Sequence, residues 1–285
     1  MKRLSACWWR CWHLCAAWSL PSLSKRFIWS KRNLSAIVLY EILHCLTAAC
    51  LAVRLFCHAH SPAQTKRYVL AGAAACLFLG DVYWLAHLII RGEPPTIFSA
   101  CDVAYIGFLL MFNTALPGVG PQRLRQRPFA VWMAVFTLMN VVAWMVWTGA
   151  WFNNLLWGVP MLLLATHSAM LVEKDLPRAR RTVFFALVAL LVFCEAAVLA
   201  GGPYRMLAPL CVLLWVLSLV QLAFTLKDSL KRLSVPAWAL MVVFCDCASF
   251  LTQGAVYYAF QLLMMVCFAY AAVSACKEGE ARHAV

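Results

Sequence analysis

Nine apolar runs follow one another along the chain, separated by short polar breaks. They cover about residues 34–57, 68–91, 98–117, 129–148, 150–172, 183–200, 206–226, 237–253 and 256–274. Each is near the ~20 residues a helix needs to cross a bilayer. The breaks carry helix-ending residues. Gly92-Glu93-Pro94-Pro95 closes the second run, Pro117-Gly118 with Pro121 the third, and Gly201-Gly202-Pro203 the sixth. Pro236 opens the eighth, and a short joint at Gln253-Gly254 makes the last two runs a candidate helical hairpin. Strand-like alternation is absent, so a barrel is not expected. The pattern predicts an all-α polytopic transmembrane bundle of about 8–9 spanning helices over 34–276. A basic, Trp- and Cys-rich segment (1–33) precedes it and a short polar tail (277–285) follows.

Composition agrees with the membrane reading. Hydrophobic residues make up 65% and charged residues 12% of the 285, with mean hydropathy +0.80. Soluble domains average roughly 45–50% apolar and about 25% charged. The net charge of +13 sits in short loops, which implies anionic lipid headgroups as partners and not nucleic acid. One set of alternate loops holds Arg123, Arg125 and Arg127, then Lys174, Arg178, Arg180 and Arg181, then Lys227, Lys231 and Arg232. The opposite loops hold only Arg91 and Arg205. The positive-inside rule therefore places the basic set and the C-terminus in the cytoplasm, in the cell (inner) membrane. Nine spans then put the N-terminus outside, whereas Lys2, Arg3, Arg10, Lys25, Arg26, Lys31 and Arg32 favour inside. Residues 5–20, broken by Arg10 and His13, fit a helix lying in the interface better than a cleaved signal peptide.

Several chemistries are excluded. The fourteen cysteines include no CxxC pair and no zinc-finger spacing, so most read as small hydrophobes. Cys7, Cys11 and Cys15 share one helical face, where acylation is the functional alternative. The chain lacks a phosphate-binding glycine loop, a dinucleotide fingerprint, a nucleophile elbow and a metalloprotease His-Glu-x-x-His motif. No Lys lies mid-span and no Arg-x-x-Arg ladder occurs, against retinal binding and voltage sensing. No metal and no cofactor is expected.

Acidic residues supply the candidate chemistry. Glu41, Asp81, Asp102, Glu195 and Asp246 all fall inside apolar runs. A carboxylate at the centre of a bilayer costs roughly 2.5–3.5 kcal/mol on insertion scales. Such residues are kept where they face a packed or wet interior. Asp81 and Asp102 belong to successive helices joined by a short turn, at similar depth, with Trp84 and Tyr105 each three residues further on the same face. Two readings stay open: polar links between helices, and one shared acidic site. Glu41 and His44, three apart on one face, are expected to pair with each other.

The order of motifs resembles the lysoplasmalogenase family of polytopic membrane proteins. Gly80-Asp81, Tyr105, Val159-Pro160, Asp246 and the Tyr257…Gln261 pair follow the family's succession over roughly residues 68–274. Cys101-Asp102 stands where the family has a small residue and His, and Cys245 replaces the Ser before Asp246. The chain also has one run more than the family's usual eight helices. The resemblance implies hydrolysis of a lysophospholipid vinyl ether, with Asp81 and Asp246 as the catalytic pair. Asp102, Tyr105, Tyr257 and Gln261 are then supporting groups, and Trp84 and His167 candidates for binding substrate. His167 has a second reading as the partner of a backbone carbonyl. In this chemistry one buried carboxylic acid delivers a proton and a second, ionised carboxylate stabilises the cation, as in glycosidases.

A competing resemblance comes from Gly80-Asp81-x-x-Trp84, Pro94-Pro95 and Ser99-x-x-Asp102-x-x-Tyr105. This run is similar to the N-terminal membrane modules of bacterial signalling proteins and implies a sensor acting with a separate output protein. A cation- or proton-coupled transporter ranks third, because no matching halves with broken helices are visible.

Overall fold

The computed structural model describes residues 31–57, 65–92, 95, 99–120, 127–146, 151–173, 176–252 and 254–283. These are 92% helical with no strand, so the fold is all-α. The main helices are α1 (Lys31–Cys57), α2 (Thr65–Arg91), α3 (Ala100–Ala115), α4 (Arg127–Val146), α5 (Trp151–Val172), α6 (Arg178–Ala200), α7 (Ala208–Thr225), α8 (Val235–Leu251) and α9 (Ala255–His283). Short helical turns at Gly202–Leu207 and Lys227–Lys231 flank α7. Six of the helices are long and apolar enough to cross a membrane. The chain is an integral membrane protein. The apolar parts of α3, α4 and α8 are shorter, Ala100–Ala115, Pro128–Val141 and Val235–Leu251. The basic N-terminal segment up to residue 30, including Cys7, Cys11 and Cys15, lies outside the described residues, as do Arg123, Arg125 and Lys174.

Helix α8 is the hub. Thirteen of its seventeen residues are buried, which makes it a core helix and not a lipid-facing one. It packs on α4, α5, α7 and α9. Helices α1, α2 and α3 pack in succession, and α9 closes against α1 and α2. The α8–α9 hairpin turns at Gly254, whose φ of 62° is a left-handed value that glycine adopts without penalty. Helix α9 runs beyond the end of its apolar run to His283, because Lys277, Glu278, Glu280, Ala281 and Arg282 are all good helix formers.

Aromatic packing fills the two halves of the core. Phe108 and Phe112 of α3 meet Phe268 of α9 edge-on, at ring-centre distances of 5.1 and 5.3 Å. On the other side Phe244 of α8 lies 5.9 Å from Phe184 of α6 and 5.5 Å from Trp215 of α7. Edge-on pairs at these distances contribute beyond their buried area. Polar links tie the same helices. Trp215 donates its indole N–H to Glu195 Oε1 at 2.9 Å, so this intramembrane acid joins α6 to α7. Trp132 of α4 donates to Glu173 Oε2 at 2.6 Å, and Arg181 of α6 forms an ion pair with Glu173.

Phe244→Ala should therefore cost about 3–5 kcal/mol, as for other large buried aromatics, read as a lower melting temperature of the detergent-solubilised protein. A melting temperature equal to wild type would contradict this packing.

Candidate functional site

The interior between α1, α2, α3, α8 and α9 holds a polar cluster, and Asp81 is its best-defined member. Asp81 is 1% exposed and engages two other helices. His44 Nδ1 of α1 lies 2.6 Å from Asp81 Oδ2. The Tyr105 hydroxyl of α3 donates to Asp81 Oδ1 at 2.8 Å. A buried carboxyl is retained at low cost only with such partners.

Gly80 explains why a glycine precedes this Asp. A Cβ there would stand 2.7 Å from the Tyr105 ring, too close for any real contact. The missing side chain is the space in which Tyr105 lies across α2 and reaches Asp81. The tyrosine then stacks onward, 5.7 Å from the Trp157 ring of α5.

Asp246 of α8 is buried. Gln261 of α9 donates to Ser249 Oγ at 2.7 Å. Ser249 in turn donates to the Asp246 carbonyl at 2.7 Å. Tyr257 of α9 is half-buried and packs edge-on against Tyr258, with ring centres 5.0 Å apart. Tyr40 stacks edge-on with Tyr258 at 4.8 Å and lies 5.6 Å from the His44 ring. Glu41 is itself buried and within electrostatic range of Asp81.

Of the residues singled out by sequence, Asp81 and Tyr105 bond directly to each other, and Gln261 meets α8 at Ser249, one turn from Asp246. Asp102 has a different setting. Its Oδ2 accepts the Ser99 backbone N–H at 2.6 Å and the Ser99 hydroxyl at 3.2 Å, which is half of a capping box that starts α3. Its Oδ1 accepts the Trp157 indole N–H at 3.3 Å. Asp102 reaches the Asp81 group only through the Tyr105–Trp157 ring contact. Trp84 is half-buried and makes no hydrogen bond among the described residues. His167 lies between Asn113 Oδ1 at 2.9 Å and the Pro117 carbonyl at 2.8 Å, where it holds α5 to the end of α3.

Sequence reasoning misplaced His44. It lies one turn from Glu41 on α1, yet its Nδ1 bonds across the helix interface to Asp81. An i,i+3 spacing reports neighbours within one helix and is silent on the residue facing them from the next. The available signal was a buried-type His and Glu on one face of a span otherwise apolar. His44 Nε2 is buried and has no hydrogen-bond partner among the described residues. Among the described residues no group of three or more His, Cys, Asp or Glu side chains is arranged to hold a metal ion.

Gly80→Ala should displace the Tyr105 ring and cost about 1–3 kcal/mol. Tyr105→Phe should cost a similar ~1–3 kcal/mol by leaving an Asp81 oxygen unsatisfied. The double variant should fall short of the sum, since both changes break one contact. Additive losses in thermal unfolding would contradict the geometry.

Family models, curated proteins and solved structures gave no match to this chain.

Proposed function

We propose that this integral membrane protein is a lipid hydrolase of the lysoplasmalogenase type, cleaving a vinyl ether to an aldehyde and a glycerophospho-headgroup. The observation that supports the reading is the buried Asp81, held by His44 and Tyr105 from two other helices, with a second buried aspartate, Asp246, on α8. Vinyl ether hydrolysis needs a proton at the outer alkene carbon and a negative group beside the resulting oxocarbenium ion. The Asp81 group, bonded to His44 and Tyr105, is the proton-handling side. Asp246 is the side that stabilises the cation and positions water. The basic loops, with the C-terminus, lie on the cytoplasmic side against anionic headgroups, in the cell membrane.

The signalling-module resemblance draws less support. Ser99 and Asp102, which carry much of it, form the start of α3, a role that any helix of this kind has use for.

Aldehyde release from a lysoplasmalogen by the purified protein tests the reading. Asp81→Asn and Asp246→Asn should each lower it by about 10²–10⁴-fold, the usual range for removing an acid–base group, while eluting as folded protein. A folded wild type that releases no aldehyde, beside an active lysoplasmalogenase control, would overturn the proposal and move the weight to a sensor or transporter.

A further inference from the structure

We infer that His44, through its Nε2 atom, is the group that exchanges a proton with the lipid, and that Asp81 is its positioning residue. This deepens the hydrolase reading and rests on it. Both Asp81 oxygens are engaged, Oδ2 with His44 Nδ1 and Oδ1 with the Tyr105 hydroxyl. The carboxyl therefore faces its two partners. Within this His44–Asp81–Tyr105 group the buried side-chain atom left without a partner is His44 Nε2, on a residue only 4% exposed. A buried ring nitrogen without a partner is costly to keep. A reacting group is one of the partners that can complete it.

The proton count favours the same atom. A net-neutral His–Asp pair is the least costly form in an apolar interior. That form holds two mobile protons. One lies between Nδ1 and Oδ2, whichever atom owns it, and the other is on Nε2. Neutral histidine beside protonated aspartic acid and imidazolium beside carboxylate are thus alike at Nε2, which carries a proton in both. In that form the pair can serve as an acid at Nε2. Asp81 fixes the ring through Nδ1, and Tyr105 fixes Asp81, as an orienting carboxylate does for a catalytic histidine elsewhere.

The reaction balances on these atoms. The Nε2 proton passes to the vinyl carbon remote from oxygen, and the alkene electron pair forms the new C–H bond. The ether oxygen donates a lone pair and an oxocarbenium ion results, leaving the His44–Asp81 pair with one negative charge. Water adds to the cationic carbon and its proton returns to Nε2. The hemiacetal then splits. Its C–O bond to the glycerol breaks with the electron pair, the hydroxyl proton moves to the leaving oxygen, and an aldehyde and an alcohol remain. One water is consumed and no oxidant or reductant is needed. The ring beside His44 on its own helix is Tyr40, at 5.6 Å, and Tyr258 of α9 packs on that tyrosine at 4.8 Å. Glu41 is buried one turn away on the same helix.

The test uses full-length protein in detergent with a lysoplasmalogen substrate. His44→Ala should lower aldehyde release about 10²–10⁴-fold, and added imidazole should restore at least a tenth of wild-type release by refilling the space. His44→Asn keeps an N–H near the Nδ1 position and lacks Nε2, so it should be as inactive as His44→Ala. Asp81→Asn, with His44 intact, should gain nothing from imidazole. An active wild type with His44→Asn near wild-type turnover would overturn the inference and leave the hydrolase reading standing. So would a folded His44→Ala protein that imidazole does not revive. A wild type without aldehyde release would instead remove the hydrolase reading itself.

Discussion

A carboxyl group placed among hydrocarbon chains has no water to satisfy it, so its partners must come from other helices. Asp81 takes a histidine from α1 and a tyrosine from α3. That demand fixes how α1, α2 and α3 face one another. The absence of a side chain at Gly80 belongs to the same constraint, because any larger residue would hold Tyr105 away. Lipid tails and apolar side chains offer little to distinguish one helix face from another, so polar contacts and close backbone approach carry the orientation. Helix α9 then packs Tyr258 on Tyr40 of α1 and bonds Gln261 to Ser249 of α8, the helix that carries the buried Asp246.

The remaining acids show how differently the same residue type is used. Glu195 accepts one indole N–H and joins α6 to α7. Asp102 starts α3 and takes a second indole from α5. Both have partners that account for them as links between elements. Around Asp81 the partners are themselves titratable, and His44 retains an unpartnered atom. Titratable partners are what a proton-moving group needs and what Glu195 and Asp102, bonded to indoles, lack.

The helices were legible because hydropathy and punctuation agree: Gly254 turns where the last two apolar runs meet, and Pro236 lies in the first turn of α8. The end of α9 was not legible from the apolar pattern, since that pattern marks where lipid stops and not where backbone hydrogen bonding stops. Asp81, Tyr105, Asp246, Tyr257 and Gln261 were legible as polar residues in apolar surroundings. Asp102 was legible too, though in another sense: Ser99-x-x-Asp102 is a helix-start spacing, and the intramembrane acid drew attention from it. His44 was hidden because its partner lies on a different helix. Register between helices is a property of packing, and no local spacing encodes it.

A double-mutant cycle on His44 and Asp81 probes the central interaction without any substrate. Unfolding free energies would be compared for His44→Leu, Asp81→Leu and the double variant. Each single change strands a buried polar partner, whereas the double change removes both. The expected result is a double variant less destabilised than the sum by about 1–3 kcal/mol. Losses that add to within about 0.5 kcal/mol would mean the two side chains do not interact, and the arrangement around Asp81 would have to be abandoned.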